Sequence, residues 1–166
     1  EEGAENLVQA VEALWDVGIV VVTAAGNYGP RPGSITSPGI SKKVITVGSC
    51  DDQFYMEEGK KKRKSYSGRG PTAECVVKPD LLAPGSYITS CNARYREKGQ
   101  KPYTMKSGTS MSTPVVSGAI ALLLSKYPDM SNVEVKLRLR ESSIDIGRPQ
   151  NEQGWGLLNV EKLLKE

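Results

Sequence analysis

Histidine is absent from all 166 residues. The chain therefore lacks the side chain that titrates near neutrality and the base that most often takes the proton of a serine hydroxyl. Cysteine is scarce. Cys50, Cys75 and Cys91 are an odd number, with no Cys-x-x-Cys pair and no metal-like spacing. They read as reduced thiols packed like small apolar side chains, which leans towards a reducing compartment, although a disulfide between two of them stays open. Net charge is only +3, too small to argue for nucleic acid. No apolar run is long enough to cross a bilayer, so neither nucleic acid nor membrane is expected as a partner. There is no signal peptide. The chain opens on Glu1 rather than methionine, which reads as a cut or cleaved start. The compartment stays open between secreted and cytoplasmic.

What is present is globular in character. Apolar residues make up 38% and charged residues 25%, well away from disordered composition, and the length suffices for one domain with a core. The one dense basic run, Lys60-Lys61-Lys62-Arg63-Lys64, follows Glu57 and Glu58. Those acids cut the local field, so the run reads as a solvated loop or hairpin tip rather than a patch for an anionic partner.

Leu7, Val8, Val11, Leu14 and Trp15 recur at helical spacing and predict a helix over 6–17 that stops at Gly18. The run Ile19 to Ala25 suits a strand buried on both faces, as in a parallel sheet. Gly, Pro and Ser make 28–40 a loop, and Lys43 to Ser49 reads as a second strand. Residues 51–64 are polar and charged. Lys78 to Gly85 is a short apolar stretch framed by prolines. Short strands are expected over 87–90 and 103–105. From about Ser110 to Lys126 a long helix is apolar nearly all round, which predicts a central, buried position. Ser131 and Glu134, three apart, predict a capping box opening a helix to about Ser142. Gly154-Trp155-Gly156 reads as a turn, with a short helix from Asn159. Together these predict an α/β layer architecture.

Two residues stand out chemically. Ser110 follows Ser107-Gly108-Thr109 and leads into the long helix, where unpaired amides and the positive end of the dipole favour a negative oxygen. It reads either as a nucleophile or as an ordinary serine N-cap. Asn27 ends the buried strand after Ala24-Ala25-Gly26. Its amide is placed to donate into a cleft at the strand's carboxyl end, or it occupies a left-handed turn position.

Ala24-Ala25-Gly26-Asn27 and Gly108-Thr109-Ser110-Met111-Ser112-Thr113-Pro114 resemble segments of the subtilisin-like serine peptidases, the subtilases. So do Ser65-Tyr66-Ser67-Gly68-Arg69-Gly70-Pro71, Lys78-Pro79-Asp80-Leu81-Leu82-Ala83-Pro84-Gly85 and Gly154-Trp155-Gly156-Leu157-Leu158-Asn159-Val160. All five stand in the family's order. The resemblance implies a partial three-layer α/β/α subtilisin-like fold with a mainly parallel sheet, and residues 1–166 as the C-terminal portion of one catalytic domain. It implies Ser110 as nucleophile and Asn27 with the Ser110 amide as oxyanion hole. It also implies Ala24, Ala25, Gly26, Gly108 and Thr109 as substrate-binding residues, and a polypeptide substrate that pairs with strand edges. The family's Asp-Thr/Ser-Gly and His-Gly-Thr segments are missing, and Val115 stands where many subtilases have a non-catalytic histidine. The expectation is thus a fragment, inactive alone, whose partner is the N-terminal half of the domain. Loss of the preceding strands predicts an open sheet edge, and a fragment that is marginal or forms homo-oligomers through that edge. No cofactor is implied in this chain, and calcium is admitted in the parent at loops outside it. The competing reading is a piece of a pseudoprotease that binds or regulates a partner.

Overall fold

The computed structural model describes residues 2–52 and 65–165; the basic run and the preceding acids lie outside them. Helix α1 spans Glu2–Asp16, and the chain leaves it through Gly18, whose φ of 91° a side chain would disfavour. Strands β1 (Val22–Ala24), β2 (Ile45–Ser49) and β3 (Leu81–Ala83) form a parallel sheet in that order, with Val22 opposite Ile45 and Val47 opposite Leu81. Strands β4 (Ile88–Cys91) and β5 (Tyr103–Lys106) make a separate antiparallel hairpin. Helices α2 (Thr109–Lys126), α3 (Asn132–Ser142), α4 (Gln150–Gln153) and α5 (Val160–Leu164) complete the chain.

The expected first strand is shorter than its β-branched run. Its bonds to β2 extend from the Val21 carbonyl to the Ala25 amide, but its other edge has no strand partner among the described residues. Strand β3 was legible only as an apolar stretch, because Pro79 and Pro84 bracket it. Pairing with β2 makes it a strand, and all three of its residues are fully buried.

Ile45 and Val47 of β2 and Leu81 and Ala83 of β3 share one core with Trp15, Val116, Ala119, Ile120, Leu123, Val135, Leu139 and Leu163. Helices therefore pack on one face of the sheet. On the other, Thr46 donates its hydroxyl to the Gly39 carbonyl at 2.7 Å. The all-round burial expected of α2 is not what forms. Val116, Ala119, Ile120 and Leu123 are buried, but Leu122 is 53% exposed and Val115 36%, and Ser117, Gly118 and Ala121 are exposed beside them. Only one flank of the helix meets the sheet. The other borders a hollow of about 480 Å³ lined in part by Val20, Val22, Ala121, Leu124 and Met130.

A buried charge cluster fixes the N-terminal approach to β3. Lys78, 1% exposed, donates to Asp80 at 2.6 Å and to the Val44 carbonyl at 3.0 Å. Asp80 also accepts the Thr46 amide at 2.7 Å. Lys136 donates to the carbonyls of Lys42, Lys43 and Val44, and lies 4.0 Å from Asp80. Burial pushes the Lys136 ammonium down to about 8, against the pull of Asp80 in the other direction. The expected capping box is present: Ser131 accepts the Glu134 amide and Glu134 accepts that of Ser131. The cysteines are free thiols, but Cys75 and Cys91 are exposed and only Cys50 is half-buried, so they do not pack as core residues.

Candidate active site

The site grows from the turn that starts α2. Gly108 precedes the helix with φ 149°, a conformation that disfavours a side chain, and makes no side-chain cap. Its amide donates to the Gly85 carbonyl at 2.8 Å, and its carbonyl accepts the Met111 amide at 2.8 Å. Ser110 is the second residue of α2, so it is not the N-cap; Gly108 holds that place. Its side chain is exposed. Among the described residues, neither its hydroxyl nor its amide has a hydrogen-bond partner. An unclaimed amide at a helix N-terminus, next to a free hydroxyl, favours negative charge on oxygen.

Asn27 is tied to this turn across the fold. Its Oδ1 accepts the Thr109 amide at 2.9 Å and the Thr109 hydroxyl at 3.1 Å. The Thr109 oxygen in turn accepts the Gly26 amide at 3.1 Å. Two donors converging on one atom require it to be the oxygen, so Nδ2 is turned away from Thr109. A Cβ placed on Gly108 would lie 3.2 Å from that Nδ2. The left-handed position at the end of β1 belongs to Gly26, at φ 92°, and not to Asn27. Gly26 also leaves room for Thr36: a Cβ there would press on the Thr36 hydroxyl and, at 2.7 Å, on its methyl.

The structure brings Asn27, Gly26, Gly108, Thr109 and Ser110 together. Of the residues expected to line a substrate cleft, Ala24 and Gly26 are half-buried, while Ala25, Gly108 and Thr109 are buried. The Thr109 side chain is taken up by Asn27 and Gly26. Sequence reasoning passed over Thr36, whose place opposite Gly26 follows from the amide it donates to the Ala25 carbonyl at 3.0 Å. It also passed over a polar network behind the turn. There Asp51 accepts the amides of Gly85 and Ser86 and the hydroxyl of Ser49 at 2.8–3.0 Å. Burial pushes the Asp51 carboxyl up, and these hydrogen bonds outweigh it and hold the group below its ordinary value. On the far side of Ser110, a cavity of about 530 Å³ separates the β4–β5 hairpin from Met111, Pro114 and Val115. Among the described residues no cluster of three or more His, Cys, Asp or Glu is placed to hold a metal.

An exposed serine hydroxyl, an unclaimed helix amide and an oriented side-chain amide stand together, a set that acyl-transfer chemistry can use, and the chain holds no histidine to serve as base. A profile of the subtilase family matches residues 1–156. The chain is 43% identical over 170 residues to the serine protease AprX of Bacillus subtilis (strain 168), covering 96% of this chain and 38% of that protein. With subtilisin DY of Bacillus licheniformis it shares 37% identity over 161 residues, 96% of this chain and 52% of the other. The prenylagaramide maturation protease PagA superposes with a TM-score of 0.69 at 28% identity, covering 94% of this chain and 53% of that one. The self-cleaved protease domain of PatA gives 0.68 at 27%, covering 95% and 53%. The chain thus spans about half or less of the length of these relatives. With the family match running over nearly its whole length, and with proteases, a subtilisin among them, as its relatives, this chain belongs to the subtilase family.

Proposed function

We propose that the chain is the nucleophile-bearing part of a serine endopeptidase and has no hydrolytic activity by itself. Ser110 attacks the carbonyl carbon of a peptide bond as its hydroxyl proton passes to a histidine outside this chain, which an aspartate orients. The oxygen of the tetrahedral intermediate is held by the Ser110 amide and by Asn27 Nδ2. Collapse expels the amine, which takes up that proton, and leaves an acyl group on Ser110. Water then releases the acid by the reverse sequence. Ala24, Ala25 and Gly26 form the wall beside the acyl-side residue, and Gly108 and Thr109 form the turn over which the scissile bond lies.

The observation that carries this reading is the clasp between Asn27 Oδ1 and Thr109. It fixes the amide from the oxygen side and frees its nitrogen beside Gly108 and the Ser110 turn. A donor held this way before the reaction stabilises developing charge without reorganisation cost at that moment. The exposed apolar flank of α2 and the edge of β1 that has no strand partner among the described residues fit a partner that is the remainder of the same domain. The same edge would join copies of this chain when that remainder is absent.

The test is labelling with a fluorophosphonate, read by intact mass, on the full-length protein and on this chain alone. Modification of Ser110 in the full-length protein and none in the isolated chain is expected. Labelling of neither, under conditions that label a control peptidase, would favour a pseudoprotease. Labelling of the isolated chain would mean that a group other than histidine activates Ser110. In the full-length protein, Asn27→Ala is expected to cut turnover by roughly 10²–10³ with KM little changed; unchanged turnover would remove Asn27 from the oxyanion hole.

A further inference from the structure

We infer that Asp51 is a positioning residue for the Ser110 turn, acting through the Gly85–Ser86 backbone. The inference rests on Ser110 being the nucleophile of the reaction proposed above. Asp51 Oδ1 accepts the Gly85 amide at 2.8 Å, the Ser86 amide at 3.0 Å and the Ser49 hydroxyl at 2.8 Å. The Ser86 hydroxyl donates back to the Asp51 carbonyl at 2.8 Å. Tyr66 OH stands 2.9 Å from the Ser49 oxygen and 2.8 Å from the Ser86 oxygen. Both serine protons are committed to Asp51, so the single phenolic proton is the one left to share between the two serine oxygens. The segment 85–86 is thus held by the carboxylate and the carbonyl of Asp51 and by the hydroxyl of Tyr66.

That segment in turn holds the catalytic turn. The Gly85 carbonyl accepts the Gly108 amide at 2.8 Å. One residue further along, the Tyr87 amide donates to the Ser107 hydroxyl at 2.8 Å. Gly85 is buried against the turn, where a Cβ would press on Ser112 Oγ and come within 2.9 Å of the Gly108 carbonyl. A shift at Gly85 therefore moves Gly108, and Gly108 carries both the Thr109 amide that orients Asn27 and the Ser110 backbone. Asp51 touches neither Asn27 nor Ser110, so it positions the groups that react without joining the chemistry.

The test uses the full-length protein and the variants Asp51→Ala and Asp51→Asn. The readouts are kcat and KM on a chromogenic peptide, melting temperature, and amide exchange over 106–111 and over β2. Asp51→Ala is expected to lose roughly 10²-fold in kcat with KM held within about twofold, the scale of a misplacement of about 1 Å in a reacting group. Asp51→Asn, isosteric and keeping one acceptor oxygen, is expected to recover to within about tenfold of the wild type. Exchange over 106–111 should quicken in both variants while β2 stays protected. The inference is overturned if kcat of Asp51→Ala stays within about twofold of wild type. It is also overturned if both variants lose kcat and melting temperature equally while exchange rises over β2 and the turn alike, since that is a merely structural role. Should Asp51→Ala fail to fold, Asp51→Asn decides on the same readouts. If the wild-type protein neither cleaves peptide nor takes the fluorophosphonate at Ser110, the peptidase reading falls, and exchange alone decides the coupling: acceleration confined to 106–111 upholds it, unchanged exchange ends it.

Discussion

Thr109→Val is the substitution that isolates the clasp. Valine keeps the shape of threonine, so the fully buried site gains no cavity. What is lost is one oxygen with two hydrogen bonds, to Asn27 Oδ1 and from the Gly26 amide, both at 3.1 Å. The unpaired Gly26 amide costs about 1–3 kcal/mol of stability. Asn27 keeps its bond from the Thr109 amide at 2.9 Å, so its side chain loosens without being released. The ceiling on the catalytic loss is the removal of the donor altogether, about 10²–10³ in kcat. With one of two anchors left, a loss of about tenfold is expected, which is about 1.4 kcal/mol of transition-state stabilisation. KM should hold, because the buried Thr109 side chain is engaged by Asn27 and Gly26. Thr109→Ser, which keeps the oxygen, should retain most of the turnover. The assay is steady-state peptide hydrolysis by the full-length protein, with Ser110 titrated by a fluorophosphonate so that kcat refers to folded sites. Wild-type kcat in Thr109→Val, or a serine variant as impaired as the valine one, would refute the reasoning.

Gly108→Ala should abolish measurable turnover in the full-length protein, since the new methyl meets Asn27 Nδ2 at 3.2 Å on a backbone with φ 149°; substantial residual kcat would mean the turn has room to spare. Lys136 makes stability depend on alkaline pH. Its folded value near 8 lies below the 10.5 ordinary for a lysine, so between those limits the unfolded state binds the extra proton and stability rises with pH. Denaturant unfolding should show that rise in the wild type and lose it in Lys136→Met; an identical pH profile in the two would exclude Lys136 as its source. Sedimentation of this chain alone should find self-association or partial unfolding, because among the described residues one edge of β1 has no strand partner and α2 has an exposed apolar flank; a stable, compact monomer would contradict it.

The elements that sequence made legible are those whose signals are local. Ser131 and Glu134 announced α3 through a pair of bonds spanning three residues, and both bonds are there. Helix α2 was visible in its apolar content, but which of its faces is covered depends on what the sheet reaches, and no pattern of 18 residues carries that. Strand β3 hid between prolines because its identity comes from pairing with β2. Helix α4, Gln150-Asn151-Glu152-Gln153, has no apolar period to betray it and forms by bonding back to Pro149. At the site, Ser110 and Asn27 drew notice by their places at a helix start and a strand end, but only family resemblance chose a reactive role over the ordinary readings as cap and turn residue. The bonds that join them to Thr109 and Gly26, and the Asp51 network behind them, connect residues far apart in sequence and so leave no local trace.

The clasp also sets an order in time. Asn27 and Thr109 are separated by 82 residues, so their contact closes a loop whose entropy must be repaid by contacts made elsewhere. The pairing of β1 with β2 and the docking of α2 on the sheet bring its two ends together and offset that cost. Contacts of such long range form slowly and together with the rest of the fold. A nascent or partly unfolded chain therefore carries the serine but not the oriented amide beside it. In the proposed reaction the oxyanion donor is therefore in place only once the tertiary structure is complete.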